Sequence, residues 1–184
     1  GGAIDNRRES GTPTLIITNT SIYSNTATNG AGGGVRSNGT TAIVNITNST
    51  ISFNTATNDG GGGLRNSTGS TATLTNVTLA NNTQTGSTGH GLRNTATLQL
   101  KNVILANTPS GGNCSGTMTS LGGNLSNDSS CASSFTGSGD LNTVNPLLGT
   151  LQDNGGPTWT HALQSGSPAI NSGINSGCPA TDQR

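Results

Sequence analysis

The residues able to do acid–base or metal chemistry are few and scattered. Seven acids (Asp5, Glu9, Asp59, Asp128, Asp140, Asp153 and Asp182) and two histidines (His90 and His161) make up that inventory. Glycosidic cleavage needs two carboxyl groups about 5 to 9.5 Å apart, and calcium needs a cluster of oxygen ligands. Asp5 and Asp59 fall at different places in the chain's internal repeat, and no two acids recur at the same place on neighbouring copies. His90 replaces the central glycine of a Gly-Gly-Gly corner, and His161 sits in a Thr-His-Ala-Leu stretch. Neither has an acid or a cysteine in matching register, so both read as surface or turn histidines. Serine is abundant, but none stands in a nucleophile-elbow pattern. The expectation is a chain with no catalytic residue, no metal and no cofactor.

Three cysteines carry the remaining reactive chemistry. Cys114 and Cys131 bracket a short polar loop and are expected to form a disulfide, which favours an oxidising, extracellular setting. Cys178 is left over: it pairs with a missing part of the chain or with another molecule, or it is a buried inert thiol. Asn-x-Ser/Thr sequons begin at Asn19, Asn38, Asn45, Asn48, Asn66, Asn76, Asn81, Asn113, Asn124 and Asn127. Asn38, Asn66 and Asn127, in expected loops, are the candidates for glycosylation; outward threonines and serines are equally suited to O-glycans.

The elements that must position these residues are set by a repeat. GGAI at 1–4 returns as GGGV at 32–35, GGGL at 61–64 and GHGL at 89–92. Between these markers recur ITNTSIYSN from Ile17, ITNSTISFN from Ile46, LTNVTLANN from Leu74 and LKNVILAN from Leu100. Asn19, Asn48, Asn76 and Asn102 hold one place in that phrase, at intervals of 29, 28 and 26 residues. Self-similarity at such a period marks stacked supersecondary units. Within each phrase apolar residues alternate, as in Leu15, Ile17 and Ile22 or Val44, Ile46 and Ile51, and period two means strand. A coil of about 28 residues holds about three strands of ordinary length. Stacked about 4.8 Å apart, each strand pairs in parallel with its copy on the next coil.

Glycine at the corners supplies positive φ, and asparagine tolerates the same region. Equivalent asparagines then lie one above another and can bond along the stack. Two inward ladders are expected, Asn19, Asn48, Asn76 and Asn102, and Asn25, Asn54 and Asn82. A third, Asn6, Asn66 and Asn94, is interrupted by Ser37. Arg36, Arg65 and Arg93 each follow an inward Val35, Leu64 or Leu92, with Asp5 at that place in the first coil. They are expected to form an outward basic column that is solvated or meets acidic glycans or a neighbouring subunit.

Of 184 residues, 28% are hydrophobic and 2% aromatic, too little core for an ordinary globular domain. A solenoid needs only a thin apolar stripe per coil. Seven basic and seven acidic residues give zero net charge, so nucleic acid and anionic membranes are not expected partners. No run approaches the roughly 20 apolar residues of a membrane span. The reading is all-β: a right-handed parallel β-helix of about six coils, one domain over 1–184, regular over 1–110 and less regular over 111–184. The chain opens inside its own repeat without a signal peptide, which suggests a piece cut from a longer precursor.

GGGVRSNGTTAIVNITNSTISFNTA, from residue 32, resembles the right-handed parallel β-helix repeats of bacterial surface proteins, including polymorphic outer membrane proteins. The tail NPLLGTLQDNGGPTWTHALQSGSPAINSG, followed by GCPATDQR, resembles the end of β-helix proteins with a choice-of-anchor domain. The resemblance implies a secreted or surface-exposed bacterial protein, with no activity established for the family as a whole. It also implies continuation through another cysteine toward an anchor, the expected mate of Cys178; cleavage after Arg184 during maturation is the expectation here. Three functional readings follow. The first is a filament or surface-layer subunit, stacking head to tail through a bare first coil and an open last coil at 147–170. The second is an adhesin or stalk module of a larger protein, presenting its long side to glycans. The third is a polysaccharide lyase or hydrolase.

Overall fold

The computed structural model describes residues 1–58, 60–86 and 90–184. It contains strands, turns and bends, and no helix among the described residues. The first turn comprises β1 (Ile4–Arg7), β2 (Thr14–Thr18), β3 (Ser21–Tyr23) and β4 (Thr26–Ala27). The second comprises β5 (Val35–Asn38), β6 (Ile43–Ser52) and β7 (Thr55–Ala56), and the third β8 (Leu64–Ser67), β9 (Thr71–Ala80) and β10 (Thr83–Gln84). The fourth holds β11 (Leu92–Asn94), β12 (Thr97–Lys101) and β13 (Ile104–Ala106). Four short strands continue the stack: β14 (Cys114–Ser115), β15 (Thr119–Ser120), β16 (Leu125–Ser126) and β17 (Leu141–Asn142). An off-axis pair follows, β18 (Leu148–Gln152) and β19 (Thr160–Leu163).

Every pairing from β1 to β17 is parallel, and the register is that of the repeat. Ile4, Val35, Leu64, Leu92 and Cys114 lie in one column, and Ile17, Ile46, Leu74 and Leu100 in another. Because the stacked side chains alternate in and out, these columns form a single apolar stripe running through the stack. The result is a parallel β-solenoid of about four turns with partial rungs beyond, fewer than the six coils expected. Residues 147–184 leave the stack for a hairpin and a tail, so a residue count overstates the turns.

Two corners recur at left-handed φ. Asn19, Asn48, Asn76 and Asn102 have φ of 49°, 46°, 54° and 52°, and Ser24, Phe53, Asn81 and Asn107 have 56°, 55°, 55° and 58°. A glycine corner faces them across the core. A Cβ on Gly62 would stand 2.4–2.7 Å from the backbone of Thr83, so only glycine permits the two sides of the turn to approach there.

The edge beyond β14–β17 is closed. Phe135, Cys131 and Met118 complete the core at that edge. Backbone N–H groups of the last rungs donate to side chains of the following segment. Asn113 N reaches Asp128 Oδ2 at 2.8 Å, Cys114 N reaches Ser130 Oγ at 3.1 Å, Met118 N reaches Ser134 Oγ at 3.1 Å and Asn124 N reaches Asp140 Oδ1 at 2.8 Å. These bonds supply what another strand would have supplied.

Residues 147–170 do not form a coil, which corrects the expected open last coil. β18 and β19 pair antiparallel and lie on the flank of the solenoid, where Trp159 stacks on Tyr23 and His161 meets Ser52. The tail then runs back along the first corner. Ile174 O and N bond Asn102, Thr181 O accepts from Asn48 Nδ2 at 2.6 Å, and Gln183 Oε1 accepts from Thr50 Oγ1 at 2.8 Å. Lys101 Nζ also donates to Ser176 O. The tail therefore straps all four turns from outside. No repeated partner exists for this segment, so nothing could hold it in the stack.

Candidate functional site

The asparagine columns differ in depth and direction. In the inner one, Asn25 Nδ2 donates to Asn54 Oδ1 and Asn54 Nδ2 to Asn82 Oδ1, each at 3.0 Å. Asn54 and Asn82 are buried, and their backbone partners, Ile22 O and Ile51 O, use the remaining donors. Asn66 Nδ2 donates to Asn94 Oδ1 at 2.8 Å and to Thr97 O, while Asn6 Nδ2 reaches Ile43 O. Ser37, between them in register, is buried with its hydroxyl unpaired among the described residues.

The column Asn19, Asn48, Asn76 and Asn102 faces outward, not inward as expected. Left-handed φ at a corner turns the side chain away from the core, onto the path of the tail. Asn102 donates to Asn76 at 2.9 Å and Asn76 to Asn48 at 3.0 Å; Asn19 is exposed, and the tail bonds its neighbours Thr20 and Ser21 through Gln183 instead. Cys178 lies against this column, its Sγ 3.0 Å from Ile174 O and 3.2 Å from Asn102 Nδ2. It is a half-buried free thiol.

Cys114 and Cys131 form a disulfide, with Cα atoms 5.5 Å apart. Such bonds persist in oxidising compartments, so the chain belongs in a non-reducing environment. No helix among the described residues is long and apolar enough to cross a membrane.

The arginines hold one register, Asp5, Arg36, Arg65 and Arg93, but not as a solvated strip. Arg65 is only 8% exposed, because glycine corners cover the column: a Cβ on Gly60 would lie 2.5 Å from Arg93 Cδ. Arg36 lies 3.6 Å from Asp5, which also takes Arg7 at 2.7 Å. The expectation of a solvated column is corrected for Arg65, which is buried. Asn66 is likewise corrected as a glycosylation candidate, because it sits on β8 with its side chain fully buried in a ladder. Asn38 is half-buried and accepts from Ser67 Oγ, and Asn127 Nδ2 donates to Asn107 Oδ1 at 2.8 Å.

Three of the acids serve the backbone. Asp128 and Asp140 close the far edge, and Asp153 caps Gly155 N at 2.9 Å. Asp59 lies outside the described residues. Among the described residues no three of His, Cys, Asp and Glu gather as metal ligands. Burial, reinforced by Arg93, lowers the His90 pKa.

One pairing was not foreseen. His161 Nδ1 lies 2.8 Å from Gly149 O and Nε2 2.9 Å from Ser52 Oγ, 109 residues away. A carbonyl only accepts, so neutral His161 carries its proton on Nδ1, and its Nε2 competes with Ala80 O for the one proton of the Ser52 hydroxyl. Burial lowers its pKa and so favours the neutral ring, while the bond to Gly149 opposes that shift. This is the geometry of a base beside a hydroxyl. Ser52 is fully buried, however, and its Oγ also reaches Ala80 O at 2.9 Å. Two clefts touch His161: one of about 260 Å³ under the tail and one of about 360 Å³ beside Phe53. Ser52 lines neither, so the pair latches the hairpin to the second turn. No signal in the repeat marks two singletons so far apart.

Comparison with protein-family models, with curated proteins and with solved structures finds no match. What the coordinates define is the class: a parallel β-solenoid with a strapped flank and one closed edge.

Proposed function

We propose that the chain is a non-catalytic structural module of a secreted or surface-exposed protein, a rigid stalk or adhesin segment. The closed edge carries this reading. Head-to-tail growth needs two free edges, and here Asp128, Ser130, Ser134 and Asp140 occupy the N–H groups that an incoming rung would use. The opposite edge, β1 to β4, has a neighbour on one side only, and a preceding coil there would extend the same ladders. The resemblance of the repeats and tail to bacterial surface proteins supports the surface location, as does the disulfide. The buried Ser52 and the capping role of the acids speak against a hydrolase or lyase.

The test is sedimentation and electron microscopy of the oxidised chain over a wide concentration range, with a polysaccharide turnover screen. Discrete particles without fibres and without turnover are the expected result. Fibres built of β-rungs stacked about 4.8 Å apart would overturn the reading in favour of a filament subunit. Turnover of any polysaccharide would overturn it in favour of an enzyme.

A further inference from the structure

The corner column Ser24, Phe53, Asn81 and Asn107 is uniform in backbone and not in chemistry. All four adopt left-handed φ, which serine and asparagine tolerate and a bulky aromatic does not. Phe53 nevertheless stands there, 47% exposed, one side of its ring tilted 44° against His161 at 6.1 Å. A strained, exposed aromatic ring is retained where it has something to contact.

Facing it across the groove of about 360 Å³ are Leu148 to Leu151 of the hairpin, with Asn81 and Asn107 along the floor. Apart from neutral His161, no ionisable side chain among the described residues lines this space. The carboxamide of Asn81 makes no hydrogen bond among the described residues, and Asn107 uses only its oxygen, accepting from Asn127. On the preceding rung Tyr23, in register with Ser52, stacks on Trp159 with centroids 5.6 Å apart and planes 7° from parallel. Both are exposed, by 41% and 48%. The chain has four Phe, Tyr and Trp side chains, and three of them lie open on this one flank. Large aromatics ordinarily go inside, so the inversion points to a contact surface.

We propose that this groove binds a neutral oligosaccharide lying along the solenoid axis. A pyranose ring presents a C–H face that packs on an aromatic ring and a rim of hydroxyls that pair with carboxamides. The rungs place one new side chain about every 4.8 Å, a spacing comparable to one sugar unit. An acidic ligand finds no cation here, and an apolar one leaves the Asn81 and Asn107 amides unpaired. The site is separate from the arginine column and does not depend on whether the module belongs to a longer rod.

The test uses the intact oxidised chain and soluble cello-, chito-, laminari- and manno-oligosaccharides, with oligogalacturonate as the acidic comparison. Trp159 fluorescence and the side-chain amide NMR signals of Asn81 and Asn107 report binding. A neutral oligosaccharide is expected to shift both saturably, and oligogalacturonate neither. Phe53→Ser, which copies Ser24 and relieves the strained corner, is expected to weaken binding about tenfold or more while the chain stays folded. Asn81→Ala is expected to weaken it also, and Arg36→Ala to leave it unchanged. The proposal is overturned if none of the neutral sugars moves these signals at millimolar concentration, if Phe53→Ser binds as well as the parent, or if only the acidic sugar binds.

Discussion

Asn54→Asp changes one NH₂ to an oxygen at the centre of the inner ladder and nothing else. Asn54 Nδ2 donates to Ile22 O at 2.9 Å and to Asn82 Oδ1 at 3.0 Å; Oδ1 accepts from Asn25 N and Nδ2 at 3.1 and 3.0 Å. In the variant both donor bonds become close oxygen–oxygen contacts around a buried carboxylate. Two lost bonds cost about 1 kcal/mol each, and two orphaned buried acceptors about 1 to 3 kcal/mol each, so the loss near neutral pH is about 4 kcal/mol or more. For a chain of this size that is a fall in melting temperature of about 10 °C. The pH dependence carries a definite sign. Burial and two facing oxygens raise the folded pKa of the introduced carboxyl above its unfolded value of about 3.9, so the deficit is smallest at acid pH, where the protonated acid can donate one bond. It grows as pH rises through the folded pKa. Thermal unfolding followed by circular dichroism from about pH 4 to about pH 8 measures this. Asn19→Asp, at an exposed place with no side-chain bond among the described residues, is the comparison and should change stability by less than about 0.5 kcal/mol. A variant as stable as the parent at neutral pH, or a deficit that deepens on acidification, would show that the ladder does not hold the coils.

Three further outcomes follow from named contacts. The folded pKa of His161 is lowered by burial, so the unfolded chain binds more protons below its usual 6.5; stability should fall as pH drops below that value, and His161→Gln should flatten the profile of melting temperature against pH. Cys114→Ser with Cys131→Ser opens a loop of sequence separation 17 and should cost about 3 kcal/mol in denaturant unfolding, with the far edge losing amide protection first in hydrogen exchange. Gln84, buried with both amide atoms unpaired among the described residues, follows Ala56 in a column that begins at Ala27; Gln84→Met should raise stability by about 1 kcal/mol or more in the same assay.

The core columns were legible because they repeat. Val35, Leu64 and Leu92 follow glycine markers, and two-residue alternation fixes which neighbours face inward, so the pairing order could be read without coordinates. The direction of Asn48 was not legible, because a residue at left-handed φ breaks the alternation on which inward and outward depend. Thr160–Leu163 has no copy elsewhere in the chain, and only its partner β18 reveals that it runs antiparallel. Arg65 was assigned outward by parity, which holds, but parity is silent about a glycine corner folding over it. Phe53 did carry a signal: it is the one bulky side chain among Ser24, Asn81 and Asn107.

A chain with so little apolar material holds its coils by amide ladders, and that choice bears on where function resides. A ladder bond between Asn54 and Asn82 exists only when both rungs are stacked, so each coil is stabilised by its neighbours and an edge coil is short of partners on one side. The far edge meets that shortage with Asp128 and Asp140, and the outer asparagine corner meets it with the tail. Those surfaces are already paired. The groove at Phe53 is not: it presents an exposed ring and unused amides. A backbone edge recognises another strand whatever its sequence, whereas a ring flanked by amides at rung spacing selects by shape and hydroxyl pattern. If the groove binds a sugar as proposed, substitutions at Phe53 should alter binding without altering how coils stack.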